Sequence, residues 1–586
     1  MGDHGLHRFL AGTLAVVLGL ALVGSRIEPS SSAGSESYAA GGDVRDGTGD
    51  ALDPSAVDPS GQAKTNRSAI NGVDRTTVTA VQEPQLPRSS VDTSEVAISG
   101  HVIRVAAGGD LQAAIDKARP GDRIALERGA TYRGPFRLTK KDGDAWIVIA
   151  TGDKDLVPAD ERVIPADAAM MAKLVSSTGG AVIETEPGAH HYRLVGLEVL
   201  PVEGAYLRAL IQVGAEEGPA EALAHHIIVD RCYLHGDSKR GTRRGVALNS
   251  RESAVIDSYL SDFKEVGADS QAIAGWNGPG PFKIANNYLE AAGENVMFGG
   301  ADPTIDGLVP SDIEVVSNHM SKPLGWRADD PHFQGTAWSV KNLFELKNAR
   351  RVLVDGNLFE YNWPHSQNGF AILFTPRNQD GRSPWSVVED ITFVNNLVQH
   401  VAAGINVLGH DDIHSSQPTR RIAIRNNLFI DVGGKWTNGR LFQLLDGTSD
   451  VTIDHNTAQQ TDTLLAGGDR APHTRFVFQN NIAFHNAYGV IGSGTGPGRQ
   501  SLDRYFPGAV IRRNVIIGGM ADRYPTDNFF PASADDVGFV DAPGHDFRLK
   551  PSSKYRHAGT DRQDLGADAD KVAVTAVRDW HSQLAR

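Results

Sequence analysis

One short pattern recurs along the middle of the chain: apolar, any residue, apolar, two residues, Asn, any residue, apolar. Its eight asparagines are Asn287, Asn318, Asn357, Asn396, Asn427, Asn456, Asn481 and Asn514. Ser258 and Cys232 hold the same position in two earlier segments. From Ser258 onwards, successive positions are 25 to 39 residues apart. A repeat of this length predicts a stack of similar coils rather than one compact core.

The pattern joins two short strands that do not share one phase. Alternating apolar positions predict a strand with one buried face. The phase slips by one residue before the Asn, so the chain must bend there to keep the same face inside. The Asn then points inward and needs hydrogen-bond partners. The same Asn in the next coil, about 4.8 Å away, supplies them. We therefore expect an all-β, single-stranded parallel β-helix with an internal asparagine ladder.

Both ends of this solenoid have their own signals. Asp110 is a typical N-cap residue, and it precedes a short amphipathic segment that Pro120 and Gly121 end. This segment predicts an N-terminal capping helix over the open end. The weakly patterned residues 546–568 are expected to cover the other end. We place the solenoid at residues 98–570 and a helical tail at residues 571–586.

The two end segments also carry a family resemblance. Residues 110–134 resemble the first coil of the pectate-lyase-like superfamily, which has the pectin lyase fold. Asp546-Phe-Arg-Leu-Lys-Pro551, followed by Asp564-Leu-Gly-Ala567, resembles the closing coil of bacterial members. Residues 269–448 resemble a bacterial group of β-helix proteins. The resemblance implies a right-handed parallel β-helix over roughly residues 100–570. It implies no single enzyme, because this fold hosts lyases, hydrolases, epimerases, esterases and binding spikes.

The N-terminal residues predict export. Arg8 precedes an apolar run at residues 9–23, which has the length of a signal peptide core and is short for a membrane span. Residues 1–25 are therefore a signal peptide or an uncleaved signal anchor. Residues 26–97 are rich in small and polar residues, which predicts a disordered linker. We expect a secreted or cell-surface protein that contacts a membrane only if the anchor is retained.

Charge and cysteine content exclude some classes of partner and framework. The formal net charge of −14 argues against nucleic acid, since phosphate binding needs a concentrated basic surface. The single cysteine, Cys232, lies in an apolar run and is expected to be a buried hydrophobic residue. The predicted partner is a polysaccharide, and the predicted oligomeric state is a monomer.

Two coils of 39 residues follow Asn318 and Asn357, and loops of this length are usually functional. On a parallel solenoid they would wall a groove on one outer face. Alternate residues of a strand point to the same face. Counted in this way, five polar residues are expected side by side on successive strands: Gln271, Asn295, Lys341, Asn406 and Gln443. Amides for hydroxyls, aromatic faces for sugar rings and cations for carboxylates suit a sugar polymer. The predicted substrate-binding residues are Trp276, Asn295, Glu294, Glu345, His365, Gln367 and Asn406.

The leading hypothesis for the chemistry is a polysaccharide lyase that cleaves an acidic, uronate-containing glycan by β-elimination. This reaction needs a positive charge on the carboxylate and a base for the α-proton. Lys341, Arg377 and His410 are the candidates for base or carboxylate clamp, and they are expected to converge in the groove. Asp411 and Asp412 are the candidate ligands for Ca²⁺, the one cofactor considered.

Two alternatives stay open. A glycoside hydrolase or an epimerase can occupy the same fold, and a hydrolase needs two carboxylates across the groove. Glu294, Glu345, Asp329 and Asp330 are available for that role. The other alternative is a non-catalytic cell-surface glycan-binding or structural β-helix, which predicts an outer face without converging titratable groups.

Overall fold

The structure, a computed structural model, describes residues 80–572. Within them the chain winds into three long parallel sheets, and each coil contributes one strand to each sheet in the order A, B, C. This is a right-handed parallel β-helix, as the sequence predicts. Among the described residues, no helix is long and apolar enough to cross a membrane. The predicted signal segment, residues 1–25, lies outside the described residues, as do 573–586 of the predicted tail.

The strands are short, as alternation over four to six residues predicts. Sheet A contains Val102–Val105, Arg123–Leu126, Ile147–Thr151, His190–Val195, His225–Asp230, Ser253–Ile256, Phe282–Ala285, Ser311–Val316, Ala349–Asp355, Val388–Val394, Arg420–Arg425, Ser449–Asp454, Val477–Gln479 and Val510–Arg512. Sheet B contains Thr131–Arg133, Ala172–Ser176, Leu197–Pro201, Tyr233–His235, Tyr259–Phe263, Tyr288–Ala291, His319–Ser321, Leu358–Asn362, Leu397–Val401, Leu428–Val432, Thr457–Gln460, Ile482–Phe484 and Val515–Ile517. Sheet C contains Phe136–Leu138, Ile183–Thr185, Ile211–Val213, Arg244–Leu248, Gln271–Gly275, Glu294–Phe298, Phe344–Leu346, Phe370–Phe374, Ala403–Leu408, Phe442–Leu445, Leu465–Gly467 and Val490–Gly492.

The asparagine ladder is confirmed at the bend between sheets A and B. Oδ1 of Asn396 accepts hydrogen bonds from the backbone N–H and from Nδ2 of Asn357, at 2.8 and 3.0 Å. Nδ2 of Asn357 also donates to the carbonyl of Val315 at 2.8 Å. The residue before each ladder position adopts the left-handed conformation, with φ of 58° at Asn395 and 66° at Gly356. This single left-handed residue bends the chain and so produces the one-residue phase slip in the sequence pattern.

A second phase slip, which the sequence analysis did not predict, occurs where sheet B passes into sheet C. Two consecutive residues, Leu343 and Phe344, lie in the hydrophobic core at the start of one sheet C strand. Ala272 and Ile273 do the same in an earlier coil. Alternate residues of a regular strand point to the same face. Because of this slip, counting alternate residues back across the bend assigns the wrong residues to the outer face.

The N-terminal capping helix is confirmed at Leu111–Lys117. Oδ1 of Asp110 accepts the N–H of Ala113 at 2.9 Å, and Leu111 and Ile115 are buried in the core. The prediction for the opposite end is wrong. Phe539–Asp541 and Asp546–Leu549 form an antiparallel hairpin, and this tail packs on the outer face of sheet B against residues such as Leu428 and Val515. A second helix, Arg499–Tyr505, packs at the last strand of sheet C instead.

Residues 80–98 run extended across the outer face of sheet A. Residues 80–97 belong to the predicted disordered linker, and for them that prediction is wrong. The backbone N–H groups of Gln82, Gln85 and Arg88 donate to aspartates of the sheet. Their acceptors are Asp450, Asp390 and Asp312, in that order. We call residues 80–98 the strap. The described chain therefore crosses the solenoid surface before it enters the first coil.

The part of the chain that the structure describes holds a few other short elements. Isolated 3₁₀ turns occur in the connections at Pro165–Ala169, Ala220–Ala222, Leu324–Trp326, Gly434–Trp436, Ala521–Arg523 and Asp535–Val537. The connections from sheet B to sheet C vary most in length: Ala402 alone joins two strands in one coil, whereas residues 322–343 form the connection in another. Because long and short connections lie next to each other there, the edge of sheet C that faces sheet B has an uneven outline.

Candidate functional site

The outer face of sheet C carries two rows of side chains that follow the strand register. In the first row, Gln271 pairs with Arg244 on one side and with Glu294 on the other. In the second row, Glu345 pairs with Met297 and Leu373. The predicted row of five residues is therefore wrong in part, because the second phase slip moves its members onto different rows or off the face.

Asn295 shows the error most clearly. Its Nδ2 donates to the carbonyls of Leu289 and Ser321, at 2.6 and 2.9 Å. Its Oδ1 accepts from Nζ of Lys322 at 3.1 Å, inside the corner between sheets B and C. Asn295 is fully buried in this corner, so its prediction as a substrate-binding residue is wrong. The neighbouring Glu294 takes the outer position.

Charged residues from three coils converge on this face. Nζ of Lys341 forms a hydrogen-bonded ion pair with Oδ1 of Asp269 and lies 3.8 Å from Oε1 of Glu294. Nζ of Lys347 lies 3.6 Å from Oε1 of Glu345. We call these five residues the Lys341 cluster. It holds three carboxylates and two ammonium groups on the outer face of a solenoid, where charges are usually hydrated and apart.

Hydrogen bonds extend the cluster along the first row. Nε2 of Gln271 donates to Oε2 of Glu294 at 2.8 Å, and Nε of Arg244 donates to Oε1 of Gln271 at 2.9 Å. The other oxygen, Oε1 of Glu294, is buried and has no hydrogen-bond partner among the described residues. A buried carboxylate with an unpaired oxygen is costly, which marks this position as one that stability alone does not explain.

Burial and neighbouring charges separate the acidities of the two carboxyl groups. Burial and the charge of Asp269 raise the pKa of Glu294 to about 7. Burial also opposes ionisation of Asp269, but the ammonium groups of Lys341 and Lys347 outweigh it and lower the pKa of Asp269 below its ordinary value. Burial works against the charge of Lys341, yet the carboxylates of Glu294 and Asp269 raise its pKa above the ordinary lysine value. Lys341 is thus firmly protonated near neutrality.

Exposure differs sharply within the cluster. The side chain of Glu294 is 0% exposed, whereas that of Asp269 is 32% exposed. Lys341 lies between them at 14%. Asp269 therefore meets solvent directly, and Glu294 lies beneath the ammonium of Lys341.

Apolar patches border the cluster along the same face. Ala274, Trp276 and Met297 form one, and Phe370, Leu373 and Ala403 form the other. At the edge towards sheet B lies a cavity of about 700 Å³, lined in part by Tyr206, Arg240, Glu265 and Trp338. The backbone N–H of Ser339, two residues before Lys341, donates to the carbonyl of Glu265 at 2.9 Å. The cavity and the cluster therefore share one edge of sheet C.

Arg377, Asp411 and Asp412 form a separate group at the other end of the sheet C strands. Nη1 of Arg377 lies 2.6 Å from Oδ1 of Asp411 and 2.5 Å from Oδ1 of Asp412. Oδ2 of Asp411 accepts the N–H of Asn378 at 2.7 Å. The sequence predicts these two carboxylates as metal ligands. In the structure, the positive charge that they contact is the guanidinium of Arg377.

The backbone register does not bring Lys341, Arg377 and His410 together, contrary to the prediction. The N–H of Arg377 donates to the carbonyl of Lys347, six residues beyond Lys341. An extended chain covers up to about 20 Å over six residues. His410 is exposed, and its Nδ1 lies 3.2 Å from the carbonyl of Asp446. Of the three predicted catalytic residues, only Lys341 lies in the cluster.

The other predicted binding residues are spread along the face. His365 is exposed, and its Nδ1 accepts the N–H of Val340 at 3.4 Å, one residue before Lys341. Gln367 follows in the same turn and is half-buried. Asn406 pairs with Gln443, whose Nε2 donates to Oδ1 of Asn406 at 3.1 Å. Trp276 is buried beneath the guanidinium of Arg244, 4.9 Å from its ring centre, so its face is not open to a sugar.

Sequence reasoning missed Asp269, and it placed Lys347 on the outer face beside Lys341 and Glu345 without a specific role. Asp269 comes two residues before the sheet C strand Gln271–Gly275, just as Lys341 comes three before Phe344–Leu346. A charged residue within three positions of the start of two sheet C strands was the available signal. Contact between residues 72 positions apart, however, depends on the lengths of the intervening loops, and one sequence does not fix those.

No protein-family model and no curated protein matches the sequence. Solved structures with the same type of fold do match. The catalytic unit of a GH87 α-1,3-glucanase from Streptomyces thermodiastaticus strain HF3-3 is 14% identical with a TM-score of 0.47, over 76% of this chain and 72% of that one. Pectate lyase Pel9A is 13% identical with a TM-score of 0.35, over 80% and 96%. A mannuronic acid specific family 6 lyase from human gut microbiota is 12% identical with a TM-score of 0.42, over 83% and 100%. At these identities the likeness concerns the fold alone.

Proposed function

We propose that this protein cleaves a polysaccharide by hydrolysis, with Glu294 as general acid and Asp269 as base or nucleophile. One observation carries the proposal: two carboxyl groups flank the same ammonium, and their pKa values are shifted in opposite directions. Carboxyl pairs whose environments push their pKa values apart are the usual acid and base of glycosidases. The substrate class follows from the shape, since the outer face of sheet C presents an open, repeating surface to a linear polymer.

The reaction needs one proton donor and one anionic carboxylate. Glu294, protonated in a large fraction of molecules up to about pH 7, donates its proton to the glycosidic oxygen as the C–O bond breaks. Ionised Asp269 either takes a proton from the attacking water or attacks the sugar carbon itself. An Nζ hydrogen-bonded to Asp269 and 3.8 Å from Glu294 keeps the two oxygens within about 7 Å, which allows both geometries.

Lys341 has a positioning role in this scheme. Its ammonium holds Asp269 ionised and covers the buried Glu294. Gln271 keeps the Glu294 carboxyl oriented through its 2.8 Å hydrogen bond.

A second candidate is the uronate lyase predicted from the sequence. It is favoured by the firm positive charge of Lys341, which suits a uronate carboxylate. In this reaction the carboxylate form of Glu294 would remove the α-proton, the C4–O bond would break, and a C4–C5 double bond would form. The leaving oxygen would take a proton from water, and Glu294 would release its own proton to solvent before the next turnover. Lys341 would then be the clamp rather than the base. Export from the cell and a calcium requirement stay predictions in either case.

The test is cleavage of a panel of α- and β-glucans, pectate, alginate and glucuronan by the full chain, with and without Ca²⁺. New reducing ends with flat absorbance near 235 nm, lost in Asp269→Asn and Glu294→Gln but kept in the exposed control Glu221→Gln, support hydrolysis. A rise near 235 nm that depends on Glu294 replaces hydrolysis by elimination. Cleavage that persists in both variants overturns the site. If no substrate is cleaved, the protein is a binding or structural β-helix.

A further inference from the structure

Four histidines meet on sheet A, away from the Lys341 cluster. His190 and His191 begin one strand, and His225 and His226 begin the strand paired with it, with His225 opposite His190. His191 and His226 share the left-handed conformation, with φ of 58° and 53°. The two histidine pairs therefore repeat one geometry in consecutive coils.

Their rings stack between the coils and face each other within each coil. The rings of His190 and His225 are 4.7 Å apart and nearly parallel, and those of His191 and His226 are 4.3 Å apart. Within each pair, the two Nδ1 atoms lie 2.8 Å apart. Stacking explains the contacts between coils. It does not explain why two basic nitrogens point at each other within a coil, which requires a shared proton or a shared cation.

The surroundings favour neutral rings. Burial, together with the neighbouring histidines, lowers the pKa of His191 and of His225 to about 4. Neutral imidazole is the form that binds metals. The carboxylate of Asp144 lies within reach of His190 and His191, and Glu252 lies 3.1 Å from Nδ1 of His226. Carboxylates, which serve in metal sites either as ligands or as hydrogen-bond partners of ligand imidazoles, therefore border the histidines.

We propose that His191, His225 and His226 bind one Zn²⁺ ion. One ring nitrogen from each lies within 4.8 Å of the others. Zn–N bonds of about 2.0–2.1 Å place neighbouring ligand nitrogens roughly 3.3 Å apart in a tetrahedral site. The three side chains must rotate about their χ angles to bring the nitrogens from separations of up to 4.8 Å to that distance. Asp144 and His190 form a second group of mutually close ligand atoms with His191, which makes them the candidates for the fourth ligand.

The ion would join two consecutive coils near the N-terminal end of the solenoid. Trp146 packs against this group, with its ring 5.2 Å from that of His191, and it also contacts the cluster in which Val91 of the strap is buried. The site therefore lies beside the point where the strap is anchored. We assign it a structural role, distinct from the reaction at sheet C.

The first test is zinc binding to the full chain by calorimetry after chelator treatment, with ZnCl₂ as the probe. We expect one Zn²⁺ per chain, a rise in melting temperature on loading, and no comparable effect of CaCl₂. His191→Gln and His225→Gln should lose both effects, while His332→Gln, an exposed histidine outside the group, keeps them. Stoichiometric binding that survives in both variants overturns the assignment, and so does a wild-type chain that binds no zinc.

A second test does not depend on the variants folding. Crystals of the wild-type chain soaked in ZnCl₂ are measured at the zinc absorption edge. An anomalous peak between the rings of His191, His225 and His226 supports the proposal. Peaks only at exposed histidines, or none, overturn it.

Discussion

Nζ of Lys341 lies 3.8 Å from Oε1 of Glu294, an oxygen that receives no hydrogen bond from the described residues. The distance is too long for a hydrogen bond but short enough for strong attraction between charges. The ammonium is held closer to Asp269 instead. Glu294 is therefore buried, lies near the negative charge of Asp269 and is only partly compensated by Lys341, and this is the physical origin of its raised pKa.

The raised pKa of Glu294 predicts a pH-dependent stability. A carboxyl group whose folded pKa is about 7 stabilises the fold most below its unfolded pKa of 4.5, and this contribution is lost as pH rises through 7. Glu294→Gln removes the ionisation. Between pH 5 and pH 8, the wild-type protein should lose on the order of 2 kcal/mol of unfolding free energy that the variant does not lose. Denaturant titrations of both proteins at the two pH values measure this difference.

The matched control for that experiment is Glu221→Gln, in which an exposed glutamate is changed. Its difference from wild type should be the same at pH 5 and pH 8. If Glu294→Gln behaves like this control, the Glu294 carboxyl titrates normally and is not the proton donor.

Replacing the central ammonium predicts both a slower reaction and a displaced pH profile. In Lys341→Met, Asp269 and Glu294 lose the charge that lowers their pKa values. We expect turnover to fall about 100-fold or more, a magnitude typical for loss of acid–base function. The limb of the profile assigned to Glu294 should move to higher pH. Initial rates on the cleaved polysaccharide between pH 4 and pH 9 measure both effects.

Lys154→Met, which changes an exposed lysine on another part of the surface, is the control and should keep the wild-type profile. A Lys341→Met profile that is lower but unshifted contradicts the electrostatic role and leaves Lys341 a purely structural residue.

The fold could be predicted from sequence because its main determinant repeats. Each ladder asparagine meets the same environment in each coil, so eight copies of one pattern reveal the coil, the bend and the buried amide together. The site could be predicted only in part, because it occurs once. Lys341, Glu294 and Glu345 were found as polar residues near sheet C. Their partner Asp269 was not, because loop lengths decide which coils face each other.

Asn295 illustrates the other limit. Parity along a strand predicts the outer face only as long as the strand stays regular, and one extra inward residue at the sheet C bend reverses it. Composition failed in the strap for a similar reason. Residues 80–98 bury little surface within themselves, and they are ordered by acceptors on the sheet.

The ladder itself predicts a large loss of stability from a small change. In Asn396→Ala, the backbone N–H and Nδ2 of Asn357 lose their shared acceptor inside the solenoid. The buried backbone N–H is then left without a partner, and Nδ2 keeps only its hydrogen bonds to the carbonyls of Val315 and Asp355. These two losses together cost about 2–4 kcal/mol. Denaturant unfolding should show this loss, whereas Asn368→Ala, at an exposed position, should stay within about 0.5 kcal/mol of wild type. Equal midpoints for the two variants would contradict the role of the ladder.

The strap matches the spacing of the coils beneath it. Its donors Gln82, Gln85 and Arg88 are three residues apart, and their aspartate acceptors lie on every second strand of sheet A. Three residues of polyproline II chain advance about 9.3 Å, and two coils span about 9.6 Å. Pro84 and Pro87 restrict the chain between these donors to an extended form. The two periods agree closely enough for each donor to meet an acceptor.

The strap also has apolar anchors on sheet A, and loss of Val91 is predicted to release the section of the strap that precedes it. Val96 and Ile98 pack on a separate cluster and should stay in place. Val91 is only 6% exposed and packs on Ile228, Ala254 and Ile256. In Val91→Asp a charge replaces this contact, so residues 80–92 should become sensitive to limited proteolysis and exchange their amide hydrogens at least tenfold faster. Leu86→Asp changes a strap residue that is 55% exposed and should have little effect. Protection that persists in Val91→Asp would show that the aspartate hydrogen bonds alone hold the strap, and a variant of Asp390 would then be the one to release it.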